Sequence, residues 1–230
     1  MIYVLSDIHG NQRRFHSILK QIDLQPEDSL YILGDVIDRH SGGISILRQI
    51  MAMPNAAMIL GNHEYMLLRA LGEPYDDYRD DGGARGHWYR NGGGVTHFRL
   101  MLLGKDLRRE ILDYLKALPL QIDLTANGRQ YCLVHGAPAR GWTGEPPYRN
   151  STHYAVWKRL DPAEEFPGTG TLVFGHTPTE YYRKGNPMSV WYGENRIGID
   201  CGSGYPERSA GRLACLRLDD GKVFYSEEKT

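Results

Sequence analysis

Three short apolar runs constrain this chain more than any other feature: Ile2-Tyr3-Val4-Leu5, Leu30-Tyr31-Ile32-Leu33 and Ala57-Met58-Ile59-Leu60. Each runs directly into a polar turn, respectively Ser6-Asp7-Ile8-His9-Gly10, Gly34-Asp35-Val36-Ile37-Asp38-Arg39 and Gly61-Asn62-His63-Glu64. Apolar runs too short for a helix and bounded by such turns read as buried parallel strands. Between them lie two helical patterns, one at Phe15, Ile18, Leu19 and Ile22 and one at Ile44, Ile46, Leu47 and Ile50. The first stops before Pro26 and the second closes at Pro54. His9 precedes Asp35 by 26 positions and Asp35 precedes Asn62 by 27, about the length of one βαβ unit. Right-handed crossovers then place Asp7, His9, Asp35 and Asn62 at one edge of one sheet, the carboxyl edge where open α/β sheets bind ligands.

The remaining chain fits one domain spanning residues 1–230, with no linker dividing it. Residues 65–70 and 106–118 have helical spacing, the latter ending before Pro119. Between these helices, residues 72–96 are rich in glycine and aspartate and carry Tyr75, Tyr78, Trp88 and Tyr89. A stretch of that length without periodicity predicts a lid-like insertion. In the second half, residues 120–124 and 130–134 read as a hairpin around Asn127-Gly128, the second strand ending on His135-Gly136. Residues 141–149 are a Pro/Gly loop and residues 152–160 a weak helix. Thr171-Leu172-Val173-Phe174 ends on Gly175-His176, and Arg196-Ile197-Gly198-Ile199 ends on Asp200. A final hairpin turns at Asp219-Asp220-Gly221.

Five apolar runs thus end in residues able to bind metal: Asp7 with His9, then Asp35, Asn62, His135 and His176. Any one of them alone reads as a cap or turn residue. Five together predict a site, and its mix of imidazole and oxygen donors suits Mn, Fe or Zn better than Ca. Six donors exceed one tetrahedral ion and suit two ions sharing a carboxylate, with Asp35 as the natural bridge. His16, His87, His97 and His153 read as surface or packing residues. With Lys+Arg 27 against Asp+Glu 28 and a net charge of −1, the chain offers no footprint for nucleic acid or an anionic membrane. Cys132, Cys201 and Cys215 show no CxxC spacing and imply no disulfide framework, and no run approaches a membrane span. The expected setting is soluble and cytoplasmic.

The three turns, in this order and spacing, resemble the signature motifs of the metal-dependent Ser/Thr protein phosphatases, a family of the calcineurin-like metallophosphoesterases. His135-Gly136 and Gly175-His176 match its remaining ligand positions. Trp157-Lys158-Arg159 and the segment Trp88-Tyr89-Arg90-Asn91-Gly92-Gly93 resemble the shorter bacterial and phage members. The resemblance implies a four-layer α/β/β/α sandwich with two central mixed sheets and a dimetal site at the strand C-terminal ends. One divalent ion would be held by Asp7, His9 and Asp35, and the other by Asp35, Asn62, His135 and His176. Manganese is the first expectation, with Fe, Zn, Ni or Co also accepted. Arg39 and Arg159 would grip phosphate oxygens. His63 would act as general acid, its other nitrogen held by Asp38, while a bridging hydroxide attacks phosphorus directly. His40 stands where the family usually has glycine, Ala137 where many members have a second glycine, and Cys201 where threonine is common; none removes a ligand.

The implied activity is hydrolysis of phosphomonoesters, foremost phospho-Ser/Thr of proteins and also phospho-Tyr or small phosphoesters. An alternative is a dinucleoside tetraphosphate hydrolase, against which the register of Asp38-Arg39 leans. A third reading is a catalytically silent metal-binding interaction protein, disfavoured because every ligand is present.

Overall fold

The computed structural model describes residues 1–73, 83–138, 151–164, 169–185, 187–206 and 210–227. Five strands form the first sheet. β1 (Ile2–Leu5), β2 (Ser29–Ile32) and β3 (Ala56–Met58) are parallel, crossed over by α1 (Gln12–Ile22) and α2 (Gly43–Met51) as the spacing predicts. The second sheet holds β4 (Gln121–Ala126), β5 (Arg129–Val134), β6 (Thr171–Phe174), β7 (Trp191–Gly193) and β8 (Arg196–Gly198), in the order β4-β5-β6-β8-β7. The terminal hairpin, β9 (Ala214–Arg217) and β10 (Val223–Tyr225), returns to the first sheet and pairs antiparallel beside β1, giving β10-β9-β1-β2-β3. Both sheets are therefore mixed.

The period-two alternation of the strands builds the layers. On β1, Tyr3 and Leu5 join an outer core with Phe15 and Ile18 of α1 and with Ile46 and Leu47 of α2. Val4 points the other way, into a core shared with Leu133 and Val173 of the second sheet. On β5 and β6, Cys132, Val134, Leu172 and Phe174 face outward again, covered by Leu160, Tyr154 and Tyr182. Each fully buried aliphatic side chain here contributes about 1.5–3 kcal/mol. The result is two sheets between outer helical layers, as expected.

Five more α-helices flank the sheets among the described residues: α3 (Asn62–Ala70), α4 (Ala84–Arg90), α5 (Gly94–Met101), α6 (Lys105–Ala117) and α7 (Ser151–Trp157). No helix among the described residues is long and apolar enough to cross a membrane. Three local expectations need correction. The third strand ends at Met58 rather than Leu60, because the Leu60 amide leaves the ladder for the Pro119 carbonyl at 2.9 Å. The third helix begins at Asn62, since the Glu64 side chain turns back to cap the Gly61 amide at 3.2 Å. The stretch 72–96 is not structureless where it is described: α4 and the first turn of α5 lie in it, and glycines concealed their periodicity. Residues 74–82, with Tyr75 and Tyr78, and the loop at 141–149 lie outside the described residues.

Gly34 shows how tightly the strand ends approach one another. Its φ is +81°, and a Cβ there would lie 2.5 Å from the Gly61 Cα. Gly34→Ala combines left-handed strain with a backbone clash and is expected to destabilise the fold by about 2–4 kcal/mol, read as a fall in Tm.

Candidate active site

The turns after the strands are held open by unusual backbone geometry. Asp7, His9, Asp35, Asp38, Arg39 and His176 all have positive φ, six of the nine described non-glycine residues that do. L-residues keep this conformation only where their surroundings over-determine it, and such strain gathers at functional sites. Here the surroundings are hydrogen bonds between turns. The Asp7 amide donates to Gly34 O at 3.1 Å, the His9 amide to Asp35 O at 2.9 Å and the Gly10 amide to Val36 O at 2.7 Å. His40 is not among the left-handed residues; its amide and its Nδ1 lie 3.1 and 3.0 Å from His9 O. Position 40 therefore makes no demand for glycine, because the left-handed steps fall at 38 and 39.

Glu64 braces the central turn from below. It is fully buried, and its two oxygens accept from the amides of Asp35 (2.8 Å), Val36 (2.9 Å), Gly61 (3.2 Å) and Ile37 (3.3 Å). Burial, reinforced by the charge of Asp35, pushes its pKa up to about 7 against the pull of those amides.

Each imidazole is oriented by one nitrogen so that the other faces the centre. His9 Nδ1 lies 3.2 Å from Ile37 O, leaving Nε2 at 3.9 Å from Asp7 Oδ1 and 3.7 Å from Asp35 Oδ2. His135 Nδ1 lies 2.6 Å from Leu33 O, leaving Nε2 at 2.9 Å from Asn62 Oδ1 and 3.5 Å from Asp35 Oδ1. His176 Nε2 lies 3.1 Å from Trp157 O, which leaves Nδ1 for the centre. A backbone carbonyl fixing the outer nitrogen is how a ligating histidine is given its tautomer.

The sequence-derived donors converge. Two triads, His9–Asp35–His63 and Asp35–His135–His176, each have ligating atoms within 4.8 Å of one another, and Asp35 belongs to both. Asp7 adjoins the first through His9, and Asn62 the second through His135. Donors about 2.1 Å from a divalent ion stand roughly 3.0–3.4 Å apart, somewhat closer than the 3.5–3.9 Å between the imidazoles of His9 and His135 and the carboxylates of Asp7 and Asp35. The electrostatics fit a cation as well. Burial, then His63 and Arg39, hold the His9 pKa well down; burial and His135 depress that of His176 to about 3. The lowered pKa of each ring favours its neutral form, the state that binds metal. Burial pushes Asp7 and Asp200 up, each raised further by a neighbouring aspartate. Burial also opposes the Asp35 carboxylate, but the imidazoles of His135, His63 and His9 outweigh it and hold its pKa well below the usual range. Buried carboxylates facing His9 and His176, whose lowered pKa values favour free nitrogen lone pairs, form a donor set that suits a divalent ion.

His63 sits differently. Its amide donates to Asp35 Oδ1 at 2.9 Å, its Nδ1 lies 2.7 Å from Asp38 Oδ2 and its Nε2 lies 3.8 Å from Asp35 Oδ2. Burial favours its neutral form, yet Asp35 and Asp38 more than compensate and raise its pKa. The neighbouring carboxylates thus favour the protonated form of His63, whereas burial lowers the pKa of His9 and His176.

These groups open onto a cavity of about 140 Å³ lined by Asp7, Asp35, Asn62, His63, His176 and Asp200, with Arg39 and Arg159 among its remaining walls. Larger clefts of about 370 and 300 Å³ lie elsewhere, but neither gathers an imidazole or an aspartate. Chemistry, not size, marks the site. Sequence reasoning missed Asp200 as a member, although it too follows an apolar strand; its carboxylate accepts from the Gly202 amide at 2.9 Å. It also missed the structural part of Trp88, whose partner lies 50 residues away.

A family model described as calcineurin-like phosphoesterase matches residues 1–200. Among curated relatives, a symmetrical bis(5'-nucleosyl)-tetraphosphatase of Aromatoleum aromaticum is 30% identical over 147 residues, covering 63% of this chain and 47% of the relative. A protein of the same name from Acidovorax sp. is 26% identical over 182 residues, covering 77% and 57%. The chain thus spans about half the length of these relatives. Of solved structures, a putative diadenosine tetraphosphatase superposes with a TM-score of 0.66 at 18% identity, covering 97% of this chain and 91% of that one. A cold-active protein-tyrosine phosphatase of a Shewanella species gives a TM-score of 0.57 at 16% identity, covering 98% and 80%. Identities this low show a shared fold. The family match across most of the chain, over strands and turns that carry the whole donor set, shows that this chain belongs to the calcineurin-like phosphoesterases.

Proposed function

We propose that this protein is a metal-dependent phosphoesterase that hydrolyses dinucleoside polyphosphates. The observation that carries the hydrolytic reading is Asp35, buried 3.7 Å from His9 Nε2 and 3.5 Å from His135 Nε2 beside a cavity that two exposed guanidinium groups also line. The substrate class rests on the names of the curated relatives. The register of Asp38-Arg39 favours phosphoproteins, whereas the names of the relatives favour the alternative.

In this reading Asp7, His9 and Asp35 hold one divalent ion, and Asp35, Asn62, His135 and His176 hold the second. Mn, Fe, Zn, Ni and Co all suit such donors. A pair of ions there supplies Lewis acidity and, from water, a nucleophile near neutral pH. Arg39 and Arg159 bind non-bridging phosphoryl oxygens through planar forks. As water oxygen bonds to phosphorus and releases one proton to solvent, the P–O bond to the departing nucleoside phosphate breaks, and His63 Nε2 supplies a proton to the departing oxygen. Asp38 keeps the ring aligned by holding Nδ1–H. At about 140 Å³ the cavity takes the reacting phosphoryl group, so the rest of any substrate extends beyond it.

The test is a substrate panel on chelated protein resupplied with one metal at a time. Diadenosine tetraphosphate, a phosphoserine peptide and p-nitrophenyl phosphate are offered separately. Metal-dependent turnover with kcat/KM at least about tenfold higher for the dinucleotide is expected, a preference of roughly 1.4 kcal/mol. A preference for the phosphopeptide would return the assignment to protein phosphatase. No turnover with any metal would favour the interaction protein.

A further inference from the structure

We propose that Trp88 is a positioning residue for the Asp38–His63 pair, and that the segment around α4 and α5 holds the second turn in its working shape. This rests on His63 acting as the proton donor described above.

Trp88 is completely buried in α4, and its indole Nε1 donates to Asp38 Oδ2 at 2.8 Å. That is the same oxygen that meets His63 Nδ1 at 2.7 Å. Asp38 Oδ1 has no hydrogen-bond partner among the described residues. The orientation of the carboxyl group, and through it the His63 ring, therefore depends on two donors sharing one oxygen. An indole N–H suits this task because it donates, never accepts and does not exchange roles with its partner. It can fix Asp38 without competing for the proton that His63 passes on.

Other contacts from the same segment fall on the same two residues. The Asp38 amide donates to Thr96 Oγ1 at 2.9 Å, and the Arg39 amide donates to Gly92 O at 3.2 Å. Asp38 and Arg39 have φ of +71° and +64°, a conformation that needs such external support. Close packing fixes the indole in turn: a Cβ at Gly93 would lie 2.3 Å from Trp88 Nε1, so the chain can pass there only as glycine. The segment 88–96 thus touches the backbone of both catalytic-turn residues and the side chain of one. Simple burial of an aromatic ring would not require its polar edge to meet the oxygen that orients His63.

The experiment uses Trp88→Phe, which keeps an aromatic ring and deletes the donor. The chain has four tryptophans, so nitrogen-labelled indole gives a simple NMR spectrum in which the Trp88 signal is identified by its loss in this variant. Its resonance should move more than the other indole signals in Asp38→Asn; an unmoved signal would show that the hydrogen bond is not made and would overturn the proposal without reference to activity. Kinetics supply the second reading, with phenyl phosphate as a poor leaving group and p-nitrophenyl phosphate as a good one. Trp88→Phe should lower kcat about tenfold on the former and less than about threefold on the latter, with KM within about twofold. His63→Asn should show the same order with a larger loss. Equal losses on both substrates for Trp88→Phe, beside a selective His63→Asn, would make Trp88 merely structural and leave the proton-donor reading intact. An unselective His63→Asn would remove that reading itself.

Discussion

Asp35→Asn is expected to lower metal-dependent kcat by on the order of a thousandfold, about 4 kcal/mol of transition-state stabilisation, while the protein remains folded. Asparagine matches the side chain in size and can still accept from the His63 amide, which lies 2.9 Å from Asp35 Oδ1. It removes the negative charge that stands 3.7 Å from His9 Nε2 and 3.5 Å from His135 Nε2. Because this one carboxylate adjoins both groups of donors, a single substitution is expected to weaken both proposed ion sites. A substitution at Asp7 touches only one. Steady-state kinetics on the preferred substrate, with circular dichroism as the control for folding, measures the difference. A variant retaining a tenth or more of wild-type kcat would mean that Asp35 is not shared.

Glu64→Ala should be the most damaging substitution for stability among residues that are not ligands. It deletes an acceptor for four buried backbone amides, those of Asp35, Val36, Ile37 and Gly61. An unsatisfied buried donor costs about 1–3 kcal/mol, so even after water enters and the turn relaxes the loss should reach on the order of 4–5 kcal/mol. Glu64→Gln should recover little, because its amide nitrogen would face two amide donors where an oxygen now accepts. Chemical denaturation checks both: the midpoint should fall while the m-value holds. A loss below about 1 kcal/mol for the alanine variant would show that the turn is held by other means.

Much of this architecture was legible in the chain itself. The parallel order of β1, β2 and β3 follows from apolar runs one βαβ unit apart, and the donors follow because a residue after a strand end goes where the strand points. Those are local properties. The pairing of β9 beside β1 was not legible, since Tyr3 and Arg217 are partners across nearly the whole chain. β7 and the place of Asp200 in the cavity wall were equally hidden, the first by its three-residue length and the second by the absence of a histidine beside it. Helices α4 and α5 escaped because glycines at 83, 86, 92, 93 and 94 lower helical propensity, and the compensating contacts, above all Trp88 to Asp38, are tertiary. Substrate class was the furthest from view. The proposed centre lies in the turns after five strands, whereas discrimination between a phosphopeptide and a dinucleotide would depend on groups beyond a cavity of about 140 Å³.

The most direct test of the account is the number of divalent ions that one chain binds. Chelated wild-type protein and Asp35→Asn would be titrated with manganese by calorimetry, and the loaded samples analysed for metal after dialysis. The account predicts two ions per wild-type chain, with both affinities weakened in Asp35→Asn. One ion per wild-type chain, or two whose affinities are untouched by the substitution, would contradict a centre built around a shared carboxylate.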